Sequence, residues 1–439
     1  SDFVRVPRST PTDPPDCWAC VAPPARTLPA AMVVISLPKQ AETEAVEGPT
    51  FGKKLSAPDP IPQGGRERAL ELMESGALFR YTPGYLSETS LAESDMCGYT
   101  GFKYTVGFNS CGSALFIALK CAGVQPGDEV LCNAFSFTAV PSAVHHAGAK
   151  PVYIESLDSY VIDPADFEAK ITKETKYLML THMRGKVTDM EAVYEIAKRH
   201  GLTVIEDCAH ALGVQWDGVQ VGRSALAACF STQSAKVINA GEGGFLCTDD
   251  EEVAARAYCY AGCYEQLYDQ HVVSPPAAVF DRVKLTTPNY SLRMNDIVAA
   301  CIRPQIVTLE ERVAAYNRRY DRIVDALKPG AKHLEIPDTL PRVRPVCDSL
   351  QINVRGVAVD RFMAASKRRG LPVGLFGAKD NARNYKCWEY APAPAPLPRT
   401  EALIQYAIDI RLPATFSDED LDQMAAVLLA ALDDALTCE

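Results

Sequence analysis

Residues 227–247 read Ala227-Ala-Cys-Phe230-Ser-Thr-Gln-Ser-Ala-Lys236-Val-Ile-Asn-Ala240-Gly-Glu-Gly-Gly244-Phe-Leu-Cys247. Two short apolar runs, 227–230 and 244–247, bracket a hydroxyl-rich turn, one lysine and a glycine-rich turn. Runs of this length and composition fit strands of a sheet buried on both faces. In open α/β sheets ligands sit beyond the strand ends, so a lysine there, beside glycines that let backbone crowd a bound group, is placed for chemistry. Taken alone, an exposed loop lysine fits the same residues.

Working outward, residues 129–132, 151–154, 177–180 and 202–205 add four apolar runs of strand-like composition. Helical stretches fall between them. Residues 113–122 are closed by Gly123, and residues 190–200 by Gly201, each placed as a C-terminal cap. This alternation predicts an α/β fold whose large, mostly parallel sheet is covered by helices through right-handed crossovers. Residues 296–327 predict a long amphipathic helix, broken near Pro304, that leads out of the large domain. Beyond it, 350–354 alternate like a strand, while 360–369 and 418–436 read as helices. The expected division is a large domain over 63–327 and a smaller C-terminal α+β domain over 328–439. Residues 1–62 are rich in proline, with Pro-Pro at 14–15 and 23–24, and read as an extended arm. Such an arm fits disorder, a remnant of targeting sequence, or a segment wrapping a partner subunit.

The chain has 439 residues, 47% of them hydrophobic and 23% charged, and a net charge of −11. No basic stripe of the kind that neutralises nucleic-acid phosphates is present. No apolar run has membrane-span length either, so neither nucleic acid nor membrane is an expected partner. The fifteen cysteines are scattered instead of densely looped, which fits reduced thiols in a cytoplasmic protein. Because the chain starts at Ser1 without methionine, import into an organelle stays open. Cys17-Trp-Ala-Cys20 has metal-knuckle spacing, but no second pair or histidines follow at finger distance, and no metal is expected.

Two further clusters flank the lysine. Gly107-Phe-Asn-Ser-Cys-Gly-Ser113 runs into a helix and fits either a phosphate turn or plain helix capping. Ile205-Glu-Asp207-Cys-Ala-His210 ends a strand in carboxylates. There Asp207 fits a ring-nitrogen partner, a ribose or metal ligand, or a helix cap. Order sharpens these readings: a phosphate turn, an aspartate at a strand end, and a lysine about thirty residues later beyond the next strand form the set that a Schiff-base cofactor needs.

Glu206-Asp-Cys-Ala-His210, Phe230-Ser-Thr-Gln-Ser-Ala-Lys236 with Gly241-Glu-Gly-Gly244, and Tyr290-Ser-Leu-Arg-Met294 closely resemble motifs of the DegT/StrS family of sugar aminotransferases. Pro126-Gly-Asp-Glu-Val130, Asp189-Met190 and Leu412-Pro-Ala-Thr-Phe-Ser-Asp418 extend the likeness over about residues 64–435. The resemblance implies a fold type I enzyme with pyridoxal 5'-phosphate held by Lys236 and its pyridine nitrogen facing Asp207. It places His210 beside the ring, Phe137 stacked on it, and Gly112, Ser113 and Ser231 at the phosphate. It also implies a homodimer in which Arg293 contacts the neighbouring subunit's phosphate. The implied reaction moves an amino group from an amino donor, glutamate above all, to a keto acceptor, most often a nucleotide-linked keto-sugar. On resemblance alone, Arg80 and Tyr81 line the substrate entrance.

Three departures bear on the substrate. In Thr181-His-Met-Arg-Gly185, Arg184 stands where the family commonly has an aromatic residue, and either solvates or binds a carboxylate or phosphate. Ser291 replaces a frequent asparagine, and Gly374-Leu-Phe-Gly-Ala378 lacks a histidine often found in the small domain. Family members that dehydrate sugars have histidine in place of the lysine, which disfavours that chemistry here. A lyase or decarboxylase using the same lysine, and a non-catalytic regulator or scaffold with the same fold, are the rival readings. A nucleotide-binding oxidoreductase is set aside because no GxGxxG follows the first strand.

Overall fold

The structure, a computed structural model, describes residues 46–264 and 267–437. The Cys17-Trp-Ala-Cys20 motif and most of the expected arm lie outside the described residues. The apolar runs form strands β2 Glu129–Asn133, β3 Lys150–Ile154, β4 Thr175–Thr181, β5 Thr203–Asp207, β6 Ala227–Ser231 and β7 Gly244–Thr248, and Tyr104–Phe108 adds β1. They build one seven-stranded sheet in the order β1-β7-β6-β5-β4-β2-β3. Pairings from β3 through β6 are parallel, whereas β7 is antiparallel to both β6 and β1. The reversal at β7 follows from its connection: residues 232–243 hold no helix to carry the chain back for a parallel return. Strand β1 is not among the expected strands; it is a five-residue edge strand with a glycine near its middle, which gives little pattern to read.

Side chains alternate between two cores, as the pleat requires. Cys132, Met179, Ile205, Cys229 and Leu246 enter one. Their neighbours Leu131, Leu180, Val204, Phe230 and Phe245 enter the other, on the opposite face. Helices cover both faces, including Cys111–Cys121 on the first and Met190–His200 on the second. Gly201 closes the latter in left-handed backbone (φ 66°), as its position in the sequence predicts.

The expected long helix is two, Asp296–Val307 and Leu309–Leu327. Pro304 is absorbed inside the first, and the chain turns at Thr308 (φ −102°, ψ 14°). Beyond them, a four-stranded antiparallel sheet in the order Leu334–Glu335, Ser349–Val354, Ala407–Arg411, Gly374–Leu375 packs with helices Val359–Arg368 and Asp418–Thr437 around a third core of Leu350, Ile352, Phe362, Ile408, Ile410 and Leu428. Trp388, Leu397, Leu403 and Ile404 return to the first core of the large sheet.

The extended-arm expectation needs correction over residues 46–62. Phe51 is buried in the third core, edge-on to Phe416, and its N–H bonds the Arg369 carbonyl at 2.8 Å. Asp59 is buried too, accepting from Tyr316 Oη at 2.6 Å and from the Ala414 N–H at 3.0 Å. This segment is a strap on its own chain; proline richness suppressed any periodic pattern, and these contacts are long-range. No helix among the described residues is long and apolar enough to cross a membrane.

Candidate active site

Parallel strands deliver their last residues to one edge, so Asn133, Thr181, Asp207 and Ser231 arrive together. From the neighbouring strand, Ser110 bridges to Gly243 and caps the helix Cys111–Cys121, its hydroxyl accepting from the Ser113 N–H at 3.1 Å. The helix start is pressed against the glycine turn. A Cβ on Gly244 would collide with the Cys111 nitrogen, and one on Gly243 would lie 2.5 Å from Thr232 Oγ1, so neither position admits a side chain without movement. Between them opens a cavity of about 460 Å³ lined by Gly112, Phe137, Arg184, Asp207, His210, Ser231, Lys236 and Arg383, among others.

Lys236 rides on the loop 232–243, which is stitched by Thr232 N–H to Gly243 O (3.1 Å) and Ala240 N–H to Thr232 O (2.9 Å). Burial, and then the charge of Arg184, pull its ammonium down to about 8 from an ordinary 10.5. Its Nζ contacts His210 Nε2, while His210 Nδ1 accepts the Arg184 backbone N–H at 3.1 Å. His210 is held well below its ordinary value, first by burial and then by Lys236, Arg184, Arg383 and Arg411, so the ring is neutral. Burial pushes the Asp207 carboxyl up; the Ala209 N–H at 3.0 Å, Lys236, His182 and Thr181 oppose that push.

Behind Asp207, His182 Nε2 meets Glu206 at 2.6 Å, and Glu206 also accepts from Tyr194 Oη at 2.5 Å. His182, Glu206 and Cys208 bring possible ligand atoms within 4.8 Å of one another, but the carboxylate is already shared between the tyrosine and the imidazole, which is the bonding of a hydrogen-bonded group. The His182 backbone N–H bonds the Asp207 carbonyl at 3.1 Å, so this buried group buttresses the strand end that carries Asp207.

The sequence-based candidates divide. Gly112, Phe137, Arg184, Asp207, His210, Ser231 and Lys236 share the cavity wall. Ser113 faces an adjoining hollow with Tyr290 and Leu292. Arg293 donates to the Gly262 carbonyl at 3.0 Å, lies over Phe79 and Tyr264, and is not among the residues lining the cavity. The expectation for Arg80 and Tyr81 is corrected. Both are buried: Arg80 forms a two-pronged ion pair with Glu93 (2.9 and 2.8 Å), and Tyr81 Oη contacts His271 Nε2 at 2.9 Å, so neither lines the cavity. An interior ion pair, not an entrance, holds them. Arg383 and Asp409 were not singled out from the sequence. Asp409, a charge inside the apolar strand Ala407-Ile-Asp-Ile410, was the available signal; Arg383 sits in an irregular loop and offered none.

The donor set fits pyridoxal phosphate. A buried amine of lowered basicity matches its aldehyde, a strand-end carboxylate its pyridine nitrogen, and a helix N-terminus with Ser231 its phosphate.

Known proteins agree on the family. The model of the DegT/DnrJ/EryC1/StrS aminotransferase family matches residues 67–429. The chain is 43% identical over 167 residues to a pleiotropic regulatory protein of Geobacillus stearothermophilus, covering 37% of this chain and 45% of that one. It is 32% identical over 285 residues to the spore coat polysaccharide biosynthesis protein SpsC of Bacillus subtilis, covering 62% and 71%. The match thus spans under half of the first relative and about seven tenths of the second. Among solved structures, DesI in the presence of its TDP-sugar product superposes with a TM-score of 0.75 at 22% identity, over 89% of this chain and 97% of that one, a likeness of fold. With a family model matched across most of its length, the chain belongs to the DegT/DnrJ/EryC1/StrS aminotransferase family.

Proposed function

We propose that this chain is a pyridoxal-phosphate-dependent aminotransferase that moves an amino group from an amino acid, glutamate foremost, to a keto acceptor of the keto-sugar class, and works as a homodimer. The observation that carries the reading is one cavity holding the Lys236 amine, Asp207 at the strand end, and the helix start at Ser110–Gly112. The family supports the cofactor and the reaction type. SpsC's role in polysaccharide biosynthesis and the TDP-sugar product of DesI support the acceptor class.

The cofactor, bound there with its ring nitrogen protonated, supplies an electron sink for bonds broken at a substrate's α-carbon. Asp207 holds that proton at the nitrogen, and a cationic ring beside it would favour its carboxylate form. Lys236 Nζ, with its basicity lowered, acts as the local base that takes and returns the α-proton. Ser231 and the N–H groups at the helix start would hold the phosphate, and Phe137, on the same cavity wall, would pack against the cofactor. Arg293, which does not line its own chain's cavity, would serve the partner subunit's phosphate in the dimer.

The test is the visible spectrum of purified protein given pyridoxal phosphate. Wild type should show a protein-bound band that glutamate removes with formation of 2-oxoglutarate, and Lys236→Ala should show none. Band loss without 2-oxoglutarate would indicate a lyase, and no band in wild type would end the catalytic reading.

A further inference from the structure

Two guanidiniums that the cofactor does not need line the same cavity. Arg184 leaves the end of β4 in left-handed backbone (φ 55°), and Arg383 comes from the loop between the strands Gly374–Leu375 and Ala407–Arg411. They converge on one carboxylate. Arg184 Nη2 hydrogen-bonds Asp409 Oδ2, and Arg383 Nη1 stands 3.5 Å from the same oxygen, while Oδ1 accepts from Gln351 Nε2 at 3.1 Å. Arg411 and Asp348 also act on this pair, and the cavity wall adds Lys236, Asp207 and Glu242.

The pair is incompletely satisfied. The Nε atoms of Arg184 and Arg383 are both buried with no hydrogen-bond partner among the described residues. Burial, followed by the charge of Arg184, draws Arg383 down to about 10, with Asp409 opposing. Leaving buried charged donors unmatched is costly, and a carboxylate relieves both charge and donors where the hydroxyls of a neutral sugar relieve only donors. Arg184 shares the cavity wall with Lys236, and its backbone N–H bonds the His210 ring that contacts Lys236 Nζ, so the anion would lie beside the lysine.

We infer that Arg184 and Arg383 form a carboxylate clamp beside Lys236, with Asp409 as the resident counter-ion that an arriving substrate carboxylate relieves. The clamp rests on the aminotransferase reading for what reacts, but not for what binds. Its occupant is a carboxylate attached at or next to the reacting carbon, on the amino donor or on an acidic keto acceptor.

Succinate is the probe, an unreactive dicarboxylate, with neutral succinamide as control. Calorimetric titrations of the cofactor-loaded and cofactor-free protein should show succinate binding and no succinamide binding. Arg383→Gln should weaken succinate on the order of tenfold, and Arg383→Lys by less, because lysine keeps the charge but loses the planar fork. Asp409→Asn should tighten it, since the competing carboxylate is gone. That last sign separates a clamp from a structural ion pair, whose loss would loosen the site in every variant. Equal affinity in all four proteins, or weakening in Asp409→Asn, overturns the clamp. If Arg383→Gln fails to fold by its thermal transition, the direction seen with Asp409→Asn still decides.

The source of the carboxylate follows from each half-reaction. Slowing of glutamate-driven band loss in Arg383→Lys identifies the donor, and slowing only of the return with pyruvate identifies an acidic acceptor; no change in either overturns the clamp. Should wild type take up no cofactor, the aminotransferase reading fails, while succinate titration of the cofactor-free cavity still judges the clamp by itself.

Discussion

His210 fixes the protonation logic of its neighbour. With the Arg184 N–H donated to Nδ1, the neutral ring keeps its own proton on Nε2 and directs it at Lys236 Nζ, which must then offer a lone pair. The same geometry that lowers the amine's basicity thus also favours its free-base form. Cofactor uptake by cofactor-free protein should accelerate as pH rises with a midpoint near 8, not near the ordinary 10.5. Arg184→Gln removes the second cause of the shift, so its midpoint should rise; an unmoved midpoint would assign the whole effect to burial. Stability carries the same sign. Between about 8 and 10.5 the unfolded chain holds more protons than the fold, so cofactor-free wild type should gain stability as pH rises through that window, and Lys236→Met should lose this slope in urea titrations. Lys236 and Asp207 were legible because each follows an apolar run, and a strand end is a place a sequence can mark. Arg383 was not, since only the folding of the C-terminal segment brings it to the cavity.

Among the elements, the strands could be read because each run is apolar on both faces, whereas β1, short and at the edge, and the strap 46–62 could not. The strap's worth is open to measurement at Asp59. Its carboxylate accepts from Tyr316 Oη and the Ala414 N–H and pairs with Arg312 at 3.3 Å, while its carbonyl accepts from Asn239 Nδ2 in the lysine loop at 2.5 Å. Asp59 therefore ties the C-terminal segment to the loop that carries Lys236. Asp59→Ala takes the acceptor from Tyr316 Oη and the counter-ion from Arg312, which keeps its bonds to the Val237 carbonyl, an expected loss of about 3 kcal/mol in urea unfolding. Asp59→Asn should recover part of it, because one amide oxygen still accepts. The glycine turn offers an independent check on the opposite wall. Gly244→Ala forces a Cβ onto the Cys111 nitrogen, with an expected cost of about 1–3 kcal/mol and weakened cofactor retention, because the helix start that would hold the phosphate must move.

For the whole molecule, the proposed dimer explains features that a single chain leaves without purpose. The helix Gln63–Ser75 buries Gly65, Ala69 and Leu72 yet leaves Leu70 and Met73 at 55% and 53% exposure, and Phe79, shortly after the helix end, is 45% exposed. Apolar groups gathered this way mark a contact surface. Arg293 lies over Phe79 and Tyr264 in that same region and does not line its own cavity, so an active-site role for it requires a second chain. A two-fold dimer makes the requirement reciprocal, because each subunit would lend its arginine to the other. Lys236→Ala and Arg293→Gln should then each be nearly inactive as pure homodimers, for different reasons. Unfolded together and refolded as a random mixture, half of their dimers are mixed, and each mixed dimer carries one site with both lysine and arginine intact. About a quarter of wild-type activity should return on mixing. If Arg293 acts only within its own chain, the mixed dimer contains no complete site and activity stays at the level of the parents, which is the result that would remove Arg293 from the shared site.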